Sequence, residues 1–161
     1  MPTRVVNAPL LLEEEYVASH RYEGVANGST VYMYVENPSN SDVTMNILAL
    51  EVASTGSGRI DMYRDVTVLS QGSEVPILNL RFDRPTSPKT IIRHGGSYSF
   101  NTPSHSTVLP GGTRVRILGS ISEIGEKIKI PKGYNTLIAF TNVAGVDTDV
   151  SIRMLWKEVH D

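Results

Sequence analysis

The sequence predicts an all-β protein, an antiparallel sandwich of two β-sheets that is jelly-roll-like in its connections. Turn-forming residues recur along the chain, for example at Asn27-Gly28, Pro110-Gly111-Gly112 and Pro131-Lys132-Gly133. The runs between such turns are about 6 to 10 residues long, the usual length of a strand. Several runs alternate apolar and polar side chains, and short strands joined by both short and long connections favour a two-sheet sandwich.

The composition is that of an ordinary globular protein. Its 161 residues fit one domain, and 40% hydrophobic with 20% charged residues is usual for such a domain. The absence of cysteine excludes disulfides, cysteine-bound zinc and a thiol nucleophile. The net charge of −2 offers no basic excess for a phosphate backbone, and no run of about 20 apolar residues could span a membrane. We therefore expect neither a nucleic-acid partner nor a membrane partner.

Three runs show the strand pattern most clearly. In Thr30–Glu36, aliphatic side chains alternate with tyrosines. Val43–Val52 begins with alternation and becomes apolar on both faces toward its end, which is typical of a strand between two layers. Val150–Val159 alternates and carries Trp156 as a large aromatic anchor. Further strands are predicted around Ile60–Arg64, Lys127–Ile130 and Thr136–Thr141.

Residues 1–24 precede the first clear strand and allow three interpretations. Leu10–Tyr22 contains good helix formers, and Pro9 suits the start of a helix. A strand of the domain's own sheet and an extended arm lying on a neighbouring subunit fit the same residues. We therefore divide the chain into an N-terminal arm or edge strand at 1–24 and a β-sandwich domain at 25–161.

Motifs for catalysis are missing from the sequence. Metal-dependent cupins, which share the jelly-roll fold, carry a His-x-His pair, but no two of His20, His94, His105 and His160 are separated by one residue. The G-x-S-x-G elbow, the P-loop and the G-x-G-x-x-G fingerprint are absent as well. We therefore predict that the protein is not an enzyme and that it has no metal site and no cofactor.

Two local clusters are candidate partner-contact sites. The N-terminal cluster, Leu10–Tyr16, is apolar and acidic, which suits a basic partner. The alternative is that its three glutamates form a solvated face. The second cluster is basic and surrounds Phe82, where a solvated loop near Pro85 and Pro88 is the alternative. The candidate contact residues are Leu10, Leu11, Leu12, Glu13, Glu14, Glu15, Tyr16, Arg81, Arg84 and Arg93.

Tyrosine is the most frequent aromatic residue, with seven tyrosines against three phenylalanines and one tryptophan. A tyrosine combines an apolar ring with a polar hydroxyl, which suits interfaces and sugar-binding grooves. The outer face of any β-sandwich accommodates tyrosines equally well, so both interpretations stand at this point.

The C-terminal part of the chain carries a recognisable succession of features. Pro131-Lys132-Gly133-Tyr134-Asn135 is followed by an apolar run, by Thr141-Asn142, by a polar loop and by an alternating strand with Trp156. This succession resembles that of small β-sandwich virion proteins of tailed bacteriophages. The resemblance covers residues 108–158 and is a structural pattern without catalytic residues.

The resemblance implies a virion structural protein, assembled in the host cytoplasm, which would act as a capsid decoration or head-stabilising protein. It implies contacts with the major capsid protein or other virion proteins, and a homo-oligomer, with a homotrimer favoured. The alternative function is a carbohydrate- or receptor-binding β-sandwich module of a phage tail or collar.

Overall fold

The computed structural model describes residues 14–83, 86–118 and 128–161, and these residues form strands, turns and loops. The predicted all-β, two-sheet sandwich is confirmed. None of the described residues belongs to a helix that could cross a membrane.

The strands are numbered in chain order. They are β1 (Glu14–Val25), β2 (Thr30–Asn37), β3 (Val43–Ser54), β4 (Gly58–Arg64), β5 (Thr67–Ser70), β6 (Ser73–Glu74), β7 (Ile77–Asn79), β8 (Ile91–His94), β9 (Ser97–Ser99), β10 (His105–Leu109), β11 (Thr113–Leu118), β12 (Ile128–Ile130), β13 (Tyr134–Asn142) and β14 (Thr148–His160).

Two antiparallel sheets contain most of these strands. Sheet A has the order β11-β3-β14-β1-β7, with β12 also paired to β3, and sheet B has the order β10-β4-β13-β2-β8-β6. The strands β1, β2, β3 and β4 alternate between the sheets, as do β10 and β11 and then β13 and β14. Eight strands connected in this way form the two interleaved Greek keys of a jelly roll.

The strands predicted from alternation are present. Thr30–Glu36 lies in β2, Ile60–Arg64 in β4, Thr136–Thr141 in β13 and Val150–Val159 in β14. The Asn27-Gly28 turn joins β1 to β2, and Gly28 adopts the positive φ of 82° that glycine tolerates. Local alternation therefore predicted these elements well.

For residues 14–24, the structure distinguishes between the three interpretations of the N-terminal region. From Glu14 onward the chain is β1, a strand within the domain's own sheet and not a helix. It pairs with β14 over Glu14–Tyr22 and with β7 over Tyr16–Ala18, so β7 lies outside it at the edge. The alternation of buried Tyr16, Ala18 and Tyr22 with more exposed neighbours has the period of a strand. Residues 1–13 of the predicted arm lie outside the described residues.

The two-sided apolar character of Val43–Val52 has a cause different from the predicted one. In the pairing with β14, Ile47 is opposite Trp156 and Ala49 is opposite Leu155, so Leu48 is an extra residue in β3. This β-bulge changes the face that points inward, from Met45 and Ile47 to Leu50 and Val52. The switch of face by itself makes both faces of this run apolar, so the pattern does not require a layer on the outer face of sheet A.

Side chains of the two sheets meet in a central core. Trp156 and Tyr16 are fully buried there and stack with ring centroids 5.7 Å apart. The segment between β4 and β10 extends both sheets through β6, β7 and β8, and its strands β5 and β9 form a two-stranded sheet on the outer face of sheet B. A second apolar cluster lies beneath this small sheet and contains Tyr34, Tyr63, Val66, Tyr98, Leu137 and Ala139.

Candidate functional site

A groove opens between the two sheets where β12 of sheet A faces β4 and β10 of sheet B. Its volume is about 630 Å³. Four separate segments of the chain line it, because the jelly roll brings the end of β4, the start of β10, the strand β12 and the start of β13 together. The lining residues are Met62, Arg64, Asp65, Ser104, His105, Ile128, Lys129, Ile130, Pro131, Tyr134, Asn135 and Thr136.

The floor of this groove is apolar and its rim is charged. Met62 and Ile130 are buried at the floor, where they also belong to the central core. Arg64 and Lys129 are exposed on the rim, and Tyr134 is 52% exposed. Within the part of the chain that the structure describes, neither cation forms an ion pair. Among the described residues, the rim therefore carries two cations and one carboxylate, that of Asp65.

Asp65, on one side of the groove, has an unusual backbone conformation. Its φ of 52° is the only positive value at a residue other than glycine in the described ranges. Asn135 stabilises the turn, because its side-chain oxygen accepts from the Val66 N–H at 2.8 Å and its amide donates to the Val66 carbonyl at 3.0 Å. The Asp65 N–H donates to the Asn135 carbonyl at 3.0 Å. The Asn135 N–H also donates to the Asp65 carboxylate at 3.4 Å, so four hydrogen bonds fix the turn to β13.

A second, smaller pocket of about 420 Å³ contains two buried carboxylates. Glu14 of β1 and Glu158 of β14 are opposite each other in register and are both buried. Glu158 accepts the Lys89 N–H at 2.6 Å and the Trp156 indole N–H at 3.4 Å. Burial raises the pKa of Glu158, and the Lys89 N–H opposes this shift. Burial also raises the pKa of Tyr16, whose hydroxyl shares a hydrogen bond with Thr86.

The structure places the predicted contact residues in different environments. Glu15 and Arg81 are exposed, and Arg81 pairs with Asp83 at 3.2 Å. Arg93 is half-buried 3.9 Å from Glu36. Glu14 and Tyr16 point into the sandwich, so their side chains serve its packing. Leu10, Leu11, Leu12, Glu13 and Arg84 lie outside the described residues.

Most tyrosines contribute to packing and not to a sugar-binding groove. Tyr16 and Tyr22 are in the central core, and Tyr34, Tyr63 and Tyr98 are in the second cluster. Tyr34 stacks on Tyr98 with ring centroids 5.4 Å apart, and burial raises the pKa of Tyr34 to about 12. Tyr32 is half-buried beside that cluster. Tyr134, by contrast, is 52% exposed and lies at the groove between the sheets.

Two of the four histidines come together. The rings of His20 and His94 stack with centroids 3.7 Å apart, whereas His105 lies on the groove rim and His160 is 3.6 Å from Asp42. Across the ranges 14–83, 86–118 and 128–161, no three potential ligands among His, Asp and Glu are grouped to hold a metal ion.

The outer face of sheet A carries a stripe of apolar residues, which we call the sheet A stripe. Cross-strand register places Leu78, Val17, Leu155 and Ala49 side by side across β7, β1, β14 and β3. Leu78 is 51% exposed and the other three are half-buried.

Charged residues border the sheet A stripe on both sides. Glu15 and Lys157 are opposite each other on one side, and Arg153 pairs with Glu51 at 3.3 Å on the other. An apolar centre with a polar rim is the usual composition of a protein-binding surface.

No protein-family model matches this chain, and no curated protein is significantly similar to it. The fold and these surfaces are therefore the features that bear on function. Sequence reasoning included Tyr134 among the tyrosines that suit a sugar-binding groove but missed Arg64 and Lys129, because nothing in the local pattern indicates that β4 meets the segment of β12 and β13.

Proposed function

We propose that the chain is a virion structural protein, a capsid decoration protein that binds and stabilises the head lattice of a phage. The observation that carries this proposal is the eight-strand jelly roll, an architecture found in viral capsid proteins, lectins and cupins. The C-terminal resemblance to phage virion proteins favours the first of these classes. The absence of a His-x-His pair from the sequence disfavours the cupins.

The sheet A stripe is the surface that we assign to the lattice. It combines Leu78, Val17 and Leu155 with flanking charges of both signs, so it suits an apolar partner surface with a polar rim. A decoration protein binds many identical sites, and modest contacts add up over a symmetric lattice. In this mechanism the protein stabilises the head by non-covalent contacts alone.

Residues 1–13 and oligomerisation complete the proposal. A segment that crosses to a neighbouring subunit adds contact area without enlarging the core, and stable interfaces bury about 1,600 Å² in total. We propose a homotrimer in which residues 1–13 contact a neighbour or the major capsid protein. Mass measurement of the intact assembly is expected to give three chains, and a monomer at all concentrations would contradict this part of the proposal.

Binding to particles tests the lattice surface. Particles from a virus lacking this chain are mixed with purified protein, and bound protein is measured after sedimentation. Leu78→Glu and Leu155→Glu are expected to reduce binding at least about tenfold, because a buried charge without a partner costs several kcal/mol. The control is Leu69→Glu, because Leu69 is 67% exposed on β5, in the two-stranded β5–β9 sheet over sheet B.

Removal of residues 1–13 tests the arm without shortening β1, which begins at Glu14. The truncated protein is expected to remain folded and to lose particle binding. Full-strength binding by the truncated protein would remove the arm from the mechanism. Failure of the full chain to appear in purified particles by mass spectrometry would overturn the virion assignment itself.

The second candidate function is a carbohydrate- or receptor-binding module of a phage tail or collar. The groove between the sheets favours it, because an exposed tyrosine and two cations without an ion pair among the described residues surround an apolar floor there. Glycan binding by the isolated protein, with no binding to heads, would favour this function over decoration.

A further inference from the structure

We propose that the groove between β12 and the β4–β10 pair binds an acidic saccharide. Tyr134 would stack on a sugar ring while Arg64 and Lys129 bind its anionic groups. The proposal rests on the second candidate function, whose ligand class and binding residues it names, and it does not depend on head decoration.

The shape of the groove fits a ligand of a few sugar rings. Ligand-binding sites are concave, have volumes of about 300 to 1,000 Å³, and combine an apolar lining with a few polar groups that fix orientation. This groove has about 630 Å³, a floor of Met62 and Ile130, and polar groups on its rim. A saccharide presents both apolar C–H faces and hydroxyl groups, so it matches both parts of this lining.

The charge of the groove indicates an anionic ligand. Arg64 differs from the other arginines whose side chains the structure describes, because each of those lies within 4.0 Å of a carboxylate, namely Arg21 of Glu23, Arg59 of Asp61, Arg81 of Asp83, Arg93 of Glu36 and Arg153 of Glu51. Lys129 also has no ion pair in the described part of the chain. Of the charged side chains on the rim, Arg64 and Lys129 are positive and Asp65 is negative, so their net charge is positive. The chain as a whole has a net charge of −2.

The aromatic ring distinguishes a saccharide from a small inorganic anion. Tyr134 follows the Pro131–Gly133 turn, which places its ring on the rim with 52% of its surface exposed. An inorganic phosphate is usually held by backbone N–H groups in a nest or at a helix N-terminus. The groove is lined instead by side chains, and its apolar floor would gain nothing from a small anion.

The rim beside Tyr134 is held in place before any ligand binds. The Asn135 side chain forms hydrogen bonds with both the N–H and the carbonyl of Val66. Asp65, the residue before Val66, has a positive φ in the same turn. Strained residues of this kind occur often at ligand-binding sites. A preformed rim loses little conformational entropy on binding, which raises affinity.

Binding experiments with defined oligosaccharides test the proposal. The probes are hexasaccharides of uronic acids, sialylated and sulfated oligosaccharides, neutral hexasaccharides of glucose and galactose, and inorganic phosphate. Amide chemical shifts of the isolated protein are followed by NMR. At least one acidic oligosaccharide is expected to shift the amides of Lys129, Tyr134 and Asn135, and to bind at least about tenfold more tightly than neutral ones.

Variants link the binding to the groove. The double variant Arg64→Gln with Lys129→Gln and the variant Tyr134→Ala are each expected to weaken binding at least about tenfold, whereas Tyr134→Phe retains it because the ring face is kept. Matched controls are Arg21→Gln for charge and Phe82→Ala for an exposed aromatic ring, since both lie away from the groove. Both controls are expected to bind as the unmodified protein does.

Three outcomes would overturn the proposal. These are no binding to any acidic oligosaccharide, equal binding of neutral and acidic ones, and competition by phosphate at the same concentration as the saccharide. Unchanged binding by the double variant would also overturn it. Particle binding by the same double variant separates the two functions, because decoration through the sheet A stripe would persist when glycan binding is lost.

Discussion

The imidazole rings of His20 and His94 stack with centroids 3.7 Å apart and planes inclined by 10°, which joins β1 of sheet A to β8 of sheet B. Tyr22 packs edge-on against His20 with ring centroids 4.6 Å apart. Burial lowers the pKa of His20, and the neighbouring His94 lowers it further. The contact therefore favours a neutral His20.

Stability is expected to decrease in mild acid because of this contact. The folded-state pKa of His20 lies below its ordinary value of 6.5, so the unfolded chain takes up the proton first. The stability that the neutral His20 contributes is therefore fully present above about pH 6.5, and it is lost as the pH falls through the lowered pKa of the folded state. Thermal unfolding is measured at about pH 7.5 and at about pH 5. Between these two pH values, Tm is expected to fall less in His20→Phe than in the unmodified protein. The control His105→Gln, at an exposed residue, should behave as the unmodified protein does. Identical pH dependence in His20→Phe would contradict the prediction.

Removal of the largest buried side chain is expected to destabilise the domain strongly. Trp156 is fully buried and stacks on Tyr16, so Trp156→Ala should lower the free energy of unfolding by about 3–5 kcal/mol. Leu155→Ala is the control, because Leu155 is the next residue of β14 and faces outward. Denaturant unfolding should give a loss for Leu155→Ala well below half of that for Trp156→Ala. Equal losses would mean that Trp156 is not the central packing residue.

Gly58 is expected to tolerate no side chain. A Cβ at this position would overlap the ring of Phe140, which is fully buried in the core. Gly58→Ala should therefore cost about 1–3 kcal/mol in the free energy of unfolding. Adding Phe140→Leu should recover part of the loss, and a double-mutant cycle measures this coupling. Strict additivity of the two changes would show that Phe140 is not the obstacle.

The turn at Asp65 is expected to prefer glycine to alanine. Its φ of 52° is in the left-handed region, where a Cβ costs about 1–2 kcal/mol. Chemical denaturation should therefore find Asp65→Gly more stable than Asp65→Ala by about 1 kcal/mol. The opposite order is expected at Ser70 in β5, because glycine weakens a strand. If alanine were the better residue at both positions, the backbone of the turn would not be strained.

Strand positions were predictable because alternation is a local property of the chain. In β2 the side chains alternate with period 2, and the structure places Met33 and Val35 in the central core and Tyr34 in the second cluster. The same reasoning failed in β3, since a bulge depends on the pairing with β14 and leaves no separate mark on the sequence of β3.

The N-terminal region is a second place where the local sequence was not sufficient to predict the structure. Glu14 and Glu15 are good helix formers, and local propensity therefore allowed a helix. Pairing of β1 with β14 overrides this preference, because burying Tyr16 against Trp156 stabilises the strand. Propensity is a weak guide wherever tertiary packing decides.

The sequence by itself determined the all-β class, the positions of the most regular strands and the lack of a catalytic motif. Each of these depends on residue types or on spacing within a few residues. Only the tertiary structure decided that Arg64, Lys129 and Tyr134 share one groove and that Leu78, Val17 and Leu155 share one face. The physical reason is that strands distant in the chain are brought together by hydrogen bonding and packing. The strand order confirms the jelly-roll-like sandwich that the sequence predicted, and the tertiary structure adds two distinct candidate binding surfaces.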